Sequence, residues 1–421
     1  MTETITLFPD VTLRCRQDPR FKHGALSFQF LRPMCHEEAA LNALLPAVLL
    51  RGSRNHPDLR AITWKLDDLY GASVSALVRR IGDLQSVGFY CSFTEDRFAL
   101  PGDRILEPMA EFVGELLFQP VLENGCFRSE YVISERKNLI STIESELNDK
   151  RAYASAQLMR MMCKEDSYGV ARLGDKEHAA AITPESLYAH YQKVLQESPL
   201  ELFYVGAAPA EQVAQILTGI FRGVARNVRP VPAQTPYRDS GKEDRVETMD
   251  VTQAKLCMGF VTPITNRCKE FAAMQVTNAL FGAGQTSKLF MNVREKMSLC
   301  YSVGSVYYGS KGLLTVGAGI DAEKDAVARQ EIFAQLDACR NGDFTAEELK
   351  AAKEGILSGL RGIHDSPSAI EGYYGTSAIS GLNMTPAEYM EAVEAVDAEA
   401  VQAAAKTLRL HSTYLLKGVT A

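Results

Sequence analysis

The two halves of this chain present the same elements in the same order, and a repeat of that size leaves few folds open. In the first half, residues 38–50 read as an apolar helix closed by Arg51-Gly52-Ser53, and residues 58–69 as an amphipathic helix ending at Tyr70-Gly71. Two strand-like runs follow, 72–79 and 85–93, parted by Gly82-Asp83, and then long helices over about 103–118 and 126–162. The second half has an apolar helix over 269–281, a Gly/Ser loop, an amphipathic helix over 287–296 and then Tyr301. Strand-like runs at 302–308 and 313–320 come next, and helices over about 322–340 and 345–364. Tyr70 and Tyr301 stand 231 residues apart. Each half closes on a strand signal, 201–206 and 412–417. One element order at a constant offset predicts a duplicated unit. The expectation is an α+β fold of two tandem homologous domains, each an antiparallel-rich sheet packed against helices on one face.

The halves meet at residues 226–247, which carry three prolines, one glycine and many charges among few large apolar residues. That is linker chemistry. It predicts domains over 1–225 and 248–421.

The segment 280–303 concentrates the candidate chemistry. Gly282 and Gly284 can end one helix, and Thr286 or Ser287 can cap the next. Leu289, Phe290, Val293 and Met297 then recur at helical spacing, leaving Arg294 and Tyr301 as the polar groups. A guanidinium fork and a phenol seven residues apart can both address the backbone of an extended peptide. Read blandly, Arg294 pairs with Glu295 at a solvated surface and Tyr301 is a half-buried strand aromatic. The Gly-Ala-Gly-Gln-Thr-Ser-Lys run is not a phosphate-binding loop, since Ser287 precedes Lys288, Leu289 follows it, and a helix rather than a strand lies upstream.

Charge and cysteine usage exclude other classes. With 45 Lys+Arg against 52 Asp+Glu, interspersed, the net charge is −7, and no clustered basic face points to nucleic acid. Nine cysteines, an odd number scattered singly without Cys-x-x-Cys, fit a reducing compartment. The first residues lack the basic and apolar regions of a signal peptide, and no run of about 18 apolar residues predicts a membrane span. The expectation is a cytoplasmic protein with no membrane partner. Trp64, on the apolar face of its helix, is expected to pack in the core or an interface.

The residues 280–301, with Arg294 and Tyr301, resemble the C-terminal signature of the insulinase/pitrilysin-like zinc peptidases, the inverzincins. Ser167-Tyr168-Gly169 through Leu173-Gly174, Ile182-Thr183-Pro184-Glu185 with Tyr191, and the run 344–353 add support. The resemblance implies a metallohydrolase-like roll in each domain and a substrate-binding role for Arg294 and Tyr301. It also implies a zinc motif, His-x-x-Glu-His, on the first helix. In the register set by Arg51-Gly52-Ser53 those positions hold Ala43, Pro46 and Ala47, and the distal glutamate position falls at Ser141 or Thr142. Zinc needs about three His, Cys or carboxylate ligands and an open position for water. Alanine and proline supply neither a ligand nor a base, and Pro46 is expected to kink the helix. The chain thus resembles the non-catalytic Arg/Tyr subunit of bacterial heterodimeric peptidases. It is expected to bind no cofactor itself, with zinc on a homologous partner subunit that shares a peptide substrate, and to be capable of forming a homodimer when isolated. The alternatives are a purely structural or interaction subunit and an active zinc peptidase with a rebuilt site.

Overall fold

The computed structural model describes residues 2–231 and 234–418. The chain forms two compact units. One comprises Met1–Glu144, Val170–Ala233 and His364–Thr376, and the other Ser145–Gly169, Gln234–Ile363 and Ser377–Ala421.

The main sheet of the first unit has six strands: β1 (Thr2–Phe8), β2 (Val11–Gln17), β3 (His23–Pro33), β4 (Ser73–Ile81), β5 (Leu84–Thr94) and β6 (Leu200–Gly206). They lie side by side as β1-β2-β6-β3-β5-β4, antiparallel except for the parallel pair β2 and β6. β3 is central and buried on both faces: Leu26, Phe28 and Phe30 alternate with Ser27 and Gln29, and all five are buried. Helices His36–Leu49 and Leu106–Phe118 carry Leu44, Val48, Met109 and Val113 into the core with Phe89 and Leu202. At Gly88 φ is +153°, and an added Cβ would lie 1.9 Å from the Phe28 carbonyl oxygen of the neighbouring strand.

The second unit holds β7 (Asp244–Thr248), β8 (Ala254–Val261), β9 (Cys300–Tyr308), β10 (Leu313–Ile320) and β11 (Arg409–Lys417), in the order β9-β10-β8-β11-β7. Only β11 and β7 are parallel. This order matches β4-β5-β3-β6-β2 of the first unit strand for strand, with the parallel pair in the same place. The repeat read from the sequence is therefore a repeat of sheet topology, with β1 as an addition on one side.

Two expected boundaries move. The helix expected over 126–162 is two helices, Ser129–Ser145 in the first unit and Lys150–Met162 in the second. Asp149 restarts the chain as an N-cap, accepting from the backbone N–H of Arg151 at 2.9 Å and Ala152 at 3.0 Å. The linker expected over 226–247 ends inside β7, which starts at Asp244.

Each unit therefore includes a segment from the other half of the sequence. In the second unit, helix Lys150–Met162 lies on β8 and β11, with Leu158, Met161 and Met162 against Cys257, Tyr414 and Leu416. A Cβ at Gly259 would lie 2.1 Å from the Met162 sulfur, so glycine is what lets this helix approach the sheet. The same segment brings Asp166 to the β9–β10 turn. There the Lys311 ammonium, fully buried, pairs with Asp166 Oδ1 at 3.1 Å and donates to the Thr235 carbonyl at 3.0 Å. In the first unit, residues 364–376 bring Glu371 onto the sheet. Its buried carboxylate accepts from Ser27 Oγ (2.9 Å), Gln29 Nε2 (3.0 Å) and both terminal nitrogens of Arg79 (2.9 and 2.8 Å).

No disulfide joins any of the nine cysteines. Among the described residues no helix is long and apolar enough to cross a membrane. Trp64, expected to pack, is 57% exposed, with the Arg60 guanidinium 4.3 Å above its ring; it is Ile62 that anchors this helix in the core.

Candidate functional site

Helix Phe271–Phe281 ends at Gly282, and the chain turns through Gly284 to Ser287. Ser287 is the residue that closes this turn: its Oγ donates to the Gly284 carbonyl at 2.6 Å and accepts from the Phe290 N–H at 3.4 Å. The segment Leu289–Lys296 that follows is wound as a π-helix, not an α-helix. The Met297 N–H donates five residues back, to Asn292 at 3.0 Å, and the Leu299 N–H six back, to Val293 at 3.0 Å. Such widened turns are rare and occur often at functional sites. Leu289 and Val293 are buried as their spacing predicts, but the wider turn swings Met297 outward, and it is 42% exposed.

The chain leaves this turn through Ser298, at φ +49°, a left-handed conformation uncommon outside glycine. It then enters β9, the edge strand of the second sheet. Cys300 pairs with Ile320 and Ser302 with Gly319, so Tyr301 is the extra residue of a β-bulge. Bulges re-aim side chains, and Tyr301 is 70% exposed. This corrects the half-buried aromatic that the bland reading allowed.

Arg294 projects from the last turn of the π-helix. Its guanidinium stacks 4.6 Å from the Phe290 ring centre, and its Nε lies 3.6 Å from the Glu295 carboxylate. Burial pushes the Cys300 thiol up to about 11, and the positive charge of Arg294 partly opposes that rise. Arg294 therefore acts electrostatically on the residue next to Tyr301. The widened turn and the bulge together place a guanidinium and a phenol at the start of an edge strand. Such a strand presents unpaired backbone N–H and C=O groups.

The helix that should carry a metal motif is His36–Leu49. It continues past Pro46 to Leu49, and the Leu50 N–H donates to the Pro46 carbonyl at 3.1 Å; the helix is not interrupted at the proline. Ala43 is buried and Ala47 half-buried. Pro46 borders a small apolar cleft with Leu45, Leu49, Phe30, Val87 and Tyr191. None of these side chains can hold zinc. On the same helix Asn42 accepts from His190 Nε2 (2.7 Å) and donates to Gln85 (2.9 Å), and burial holds His190 neutral, its pKa lowered to about 4.

Other candidate donors are dispersed. Glu135 receives Arg51 at 2.8 Å, while Glu144 and Glu146, both well exposed, pair with Lys176 and Arg160. In the Cys35-His36-Glu37-Glu38 run, His36 faces Asp175 whereas Glu38 binds Arg32 and Lys193. Among the described residues no three His, Cys, Asp or Glu side chains converge as metal ligands. What sequence reasoning missed is the bulge and the π-turn. Neither is marked by residue type: Ser298, at φ +49°, is not one of the residues that favour that conformation.

The model of the peptidase M16 inactive domain matches residues 181–356. The chain is 32% identical over 399 residues to the probable inactive metalloprotease YmfF of Bacillus subtilis, covering 95% of this chain and 94% of that protein. A crystal structure of a conserved protein from Enterococcus faecalis V583 superposes with a TM-score of 0.93 at 26% identity, over 100% of this chain and 99% of that one. A peptidase M16 inactive domain from Pseudomonas fluorescens gives 0.82 at 17% identity, over 100% and 98%. With a full-length likeness of this degree, the chain belongs to the peptidase M16 family as an inactive metallopeptidase homologue.

Proposed function

We propose that this chain is the substrate-binding half of a two-chain zinc peptidase. A homologous partner supplies the metal, its water and the general base. This chain supplies Arg294 and Tyr301 to the backbone carbonyls of a peptide beside the bond being cut. The observation that carries this reading is the display of Tyr301, 70% exposed on the bulge of an edge strand, with Arg294 on the π-turn that leads into it, in a chain that holds Ala43, Pro46 and Ala47 where the motif is expected. Donors held in place hold a peptide in register and stabilise charge that develops on its carbonyl. A scaffold gains nothing from presenting them.

A second reading, a purely structural or interaction subunit, is favoured by the contacts of Arg294. Arg294 already has Glu295 and Phe290 as neighbours, as a surface arginine with no ligand would.

One experiment separates the two. The chain alone should bind no stoichiometric zinc and cleave no peptide. Mixed with a homologous chain that keeps His-x-x-Glu-His, it should give a peptidase. Arg294→Ala or Tyr301→Phe should then lower kcat/KM by roughly 10- to 100-fold, the cost of one charge-assisted or well-placed hydrogen bond. Unchanged mixed activity in both variants would rule out the role in trans and leave the structural reading.

A further inference from the structure

The opposite end of the second sheet carries a separate feature. Tyr308 closes β9, and Leu313, Val261 and Arg409 follow across the adjoining strands in register. Tyr301 opens the same strand, so this end lies roughly 20–25 Å from the candidate site at the usual rise per strand residue. A cleft of about 590 Å³ opens here, within the size range of small-molecule sites. Its apolar walls are Pro236, Val261 and Pro263.

The polar groups fall into two sets. The hydroxyls are committed to the fold. Thr262 and Thr407 bond each other at 2.6 Å, Thr407 also donates to the Ala404 carbonyl at 2.7 Å, and Tyr237 donates to the Met162 carbonyl at 2.7 Å. Lys311 is likewise committed, to Asp166 and Thr235. Two cations remain, Lys406 and Arg409, both exposed and without an ion-pair or hydrogen-bond partner among the described residues. No aspartate or glutamate lines the cleft, in a chain whose net charge is −7. The carbonyl end of helix Ala398–Thr407, which would repel an anion, is countered by Arg340; its guanidinium donates to Leu408 at 2.5 Å and Ala405 at 3.4 Å.

We propose that this cleft is a binding site for a small monocarboxylate with an apolar body. The Arg409 fork takes the carboxylate in two parallel hydrogen bonds, Lys406 adds a point charge, and the apolar body lies along Pro236, Val261 and Pro263. The site does not depend on Arg294, Tyr301 or a partner chain, so it stands or falls apart from the proposed peptidase role.

The test is isothermal titration calorimetry of the full chain with octanoate, octyl phosphate and octanol. Octanoate should bind saturably, at least tenfold tighter than octanol and tighter than octyl phosphate, and more weakly as salt rises. The variant Lys406→Met/Arg409→Met, whose two positions are exposed and whose thermal melt should match the parent, should lose at least tenfold in octanoate affinity. The proposal is overturned by absence of saturable octanoate binding at millimolar concentration, by equal binding of octanol, or by tighter binding of octyl phosphate. Unaltered affinity in the double variant overturns it as well.

Discussion

Replacing Lys311 by methionine should destabilise the second unit by about 3 kcal/mol. The side chains of Lys311 and Asp166 are 0% and 1% exposed. The ammonium reaches both carboxylate oxygens, at 3.1 and 3.2 Å, and the Thr235 carbonyl and hydroxyl at 3.0 and 3.1 Å. Methionine fills the same space and strands the carboxylate; breaking a buried pair in this way costs about 3–5 kcal/mol. The lower end applies, because Asp166 keeps the backbone donors of Tyr168 at 2.9 Å and Arg238 at 3.1 Å. Urea unfolding followed by circular dichroism should show a midpoint lower by roughly 1–2 M, taking a slope of about 2 kcal/mol per molar. Fluorescence of Trp64, the single tryptophan and a residue of the first unit, should lag behind that transition. Lys311→Met/Asp166→Asn should recover about half of the loss, since the amide oxygen satisfies one of the two backbone donors and no charge is left buried. A midpoint within about 0.3 M of the parent would refute the reasoning, because a solvated pair contributes only that much.

His190 gives a prediction in pH. Burial lowers its pKa to about 4, so between about pH 6.5 and pH 4 the unfolded chain binds a proton that the folded chain refuses. Its share of stability is complete above that window and declines as pH falls through it, by up to about 3 kcal/mol. His190→Gln, which keeps a donor for Asn42, should flatten the stability profile over the window in urea titrations at stepped pH; a profile as steep as the parent's would discount the assignment. Gly88→Ala places a methyl 1.9 Å from the Phe28 carbonyl oxygen at a φ that only glycine holds comfortably. It should cost more than about 3 kcal/mol, and a melting temperature within a degree or two of the parent would contradict the strand geometry.

Much of the fold could be read before any coordinates because the repeat is written in local patterns. Apolar runs bounded by Gly82-Asp83 or by Gly309 and Gly312 give each hairpin, and the two helices ahead of each hairpin follow from spacing. The exchanged segments could not be read in this way. Residues 126–162 are helical on both sides of a four-residue break, and periodicity reports a helix without reporting which sheet it covers. Asp149 was the available signal, since aspartate ahead of a helical run reads as a cap. Trp64 failed for a related reason: the apolar face of a short helix does not say whether anything packs on it. At the candidate site, the residue types Arg294 and Tyr301 were legible. Their presentation was not, because a π-turn and a β-bulge each add one residue to a regular pattern, and the bulge is set by pairing with β10, which lies beyond the segment.

The exchanged segments bear on how this polypeptide can be divided. Cleavage within 226–243 looks from composition like a clean separation of two domains. It would instead give an N-terminal piece lacking the residues 364–376 that bring Glu371 to Arg79, and a C-terminal piece lacking the residues 145–169 that bring Asp166 to Lys311. The C-terminal piece alone would hold the buried Lys311 without its counterion and the N-terminal piece the part-exposed Arg79 without its own, whereas the two produced together could restore both. The duplication is thus one of sequence and topology, but neither half of the sequence, cut at the linker, encodes a complete unit.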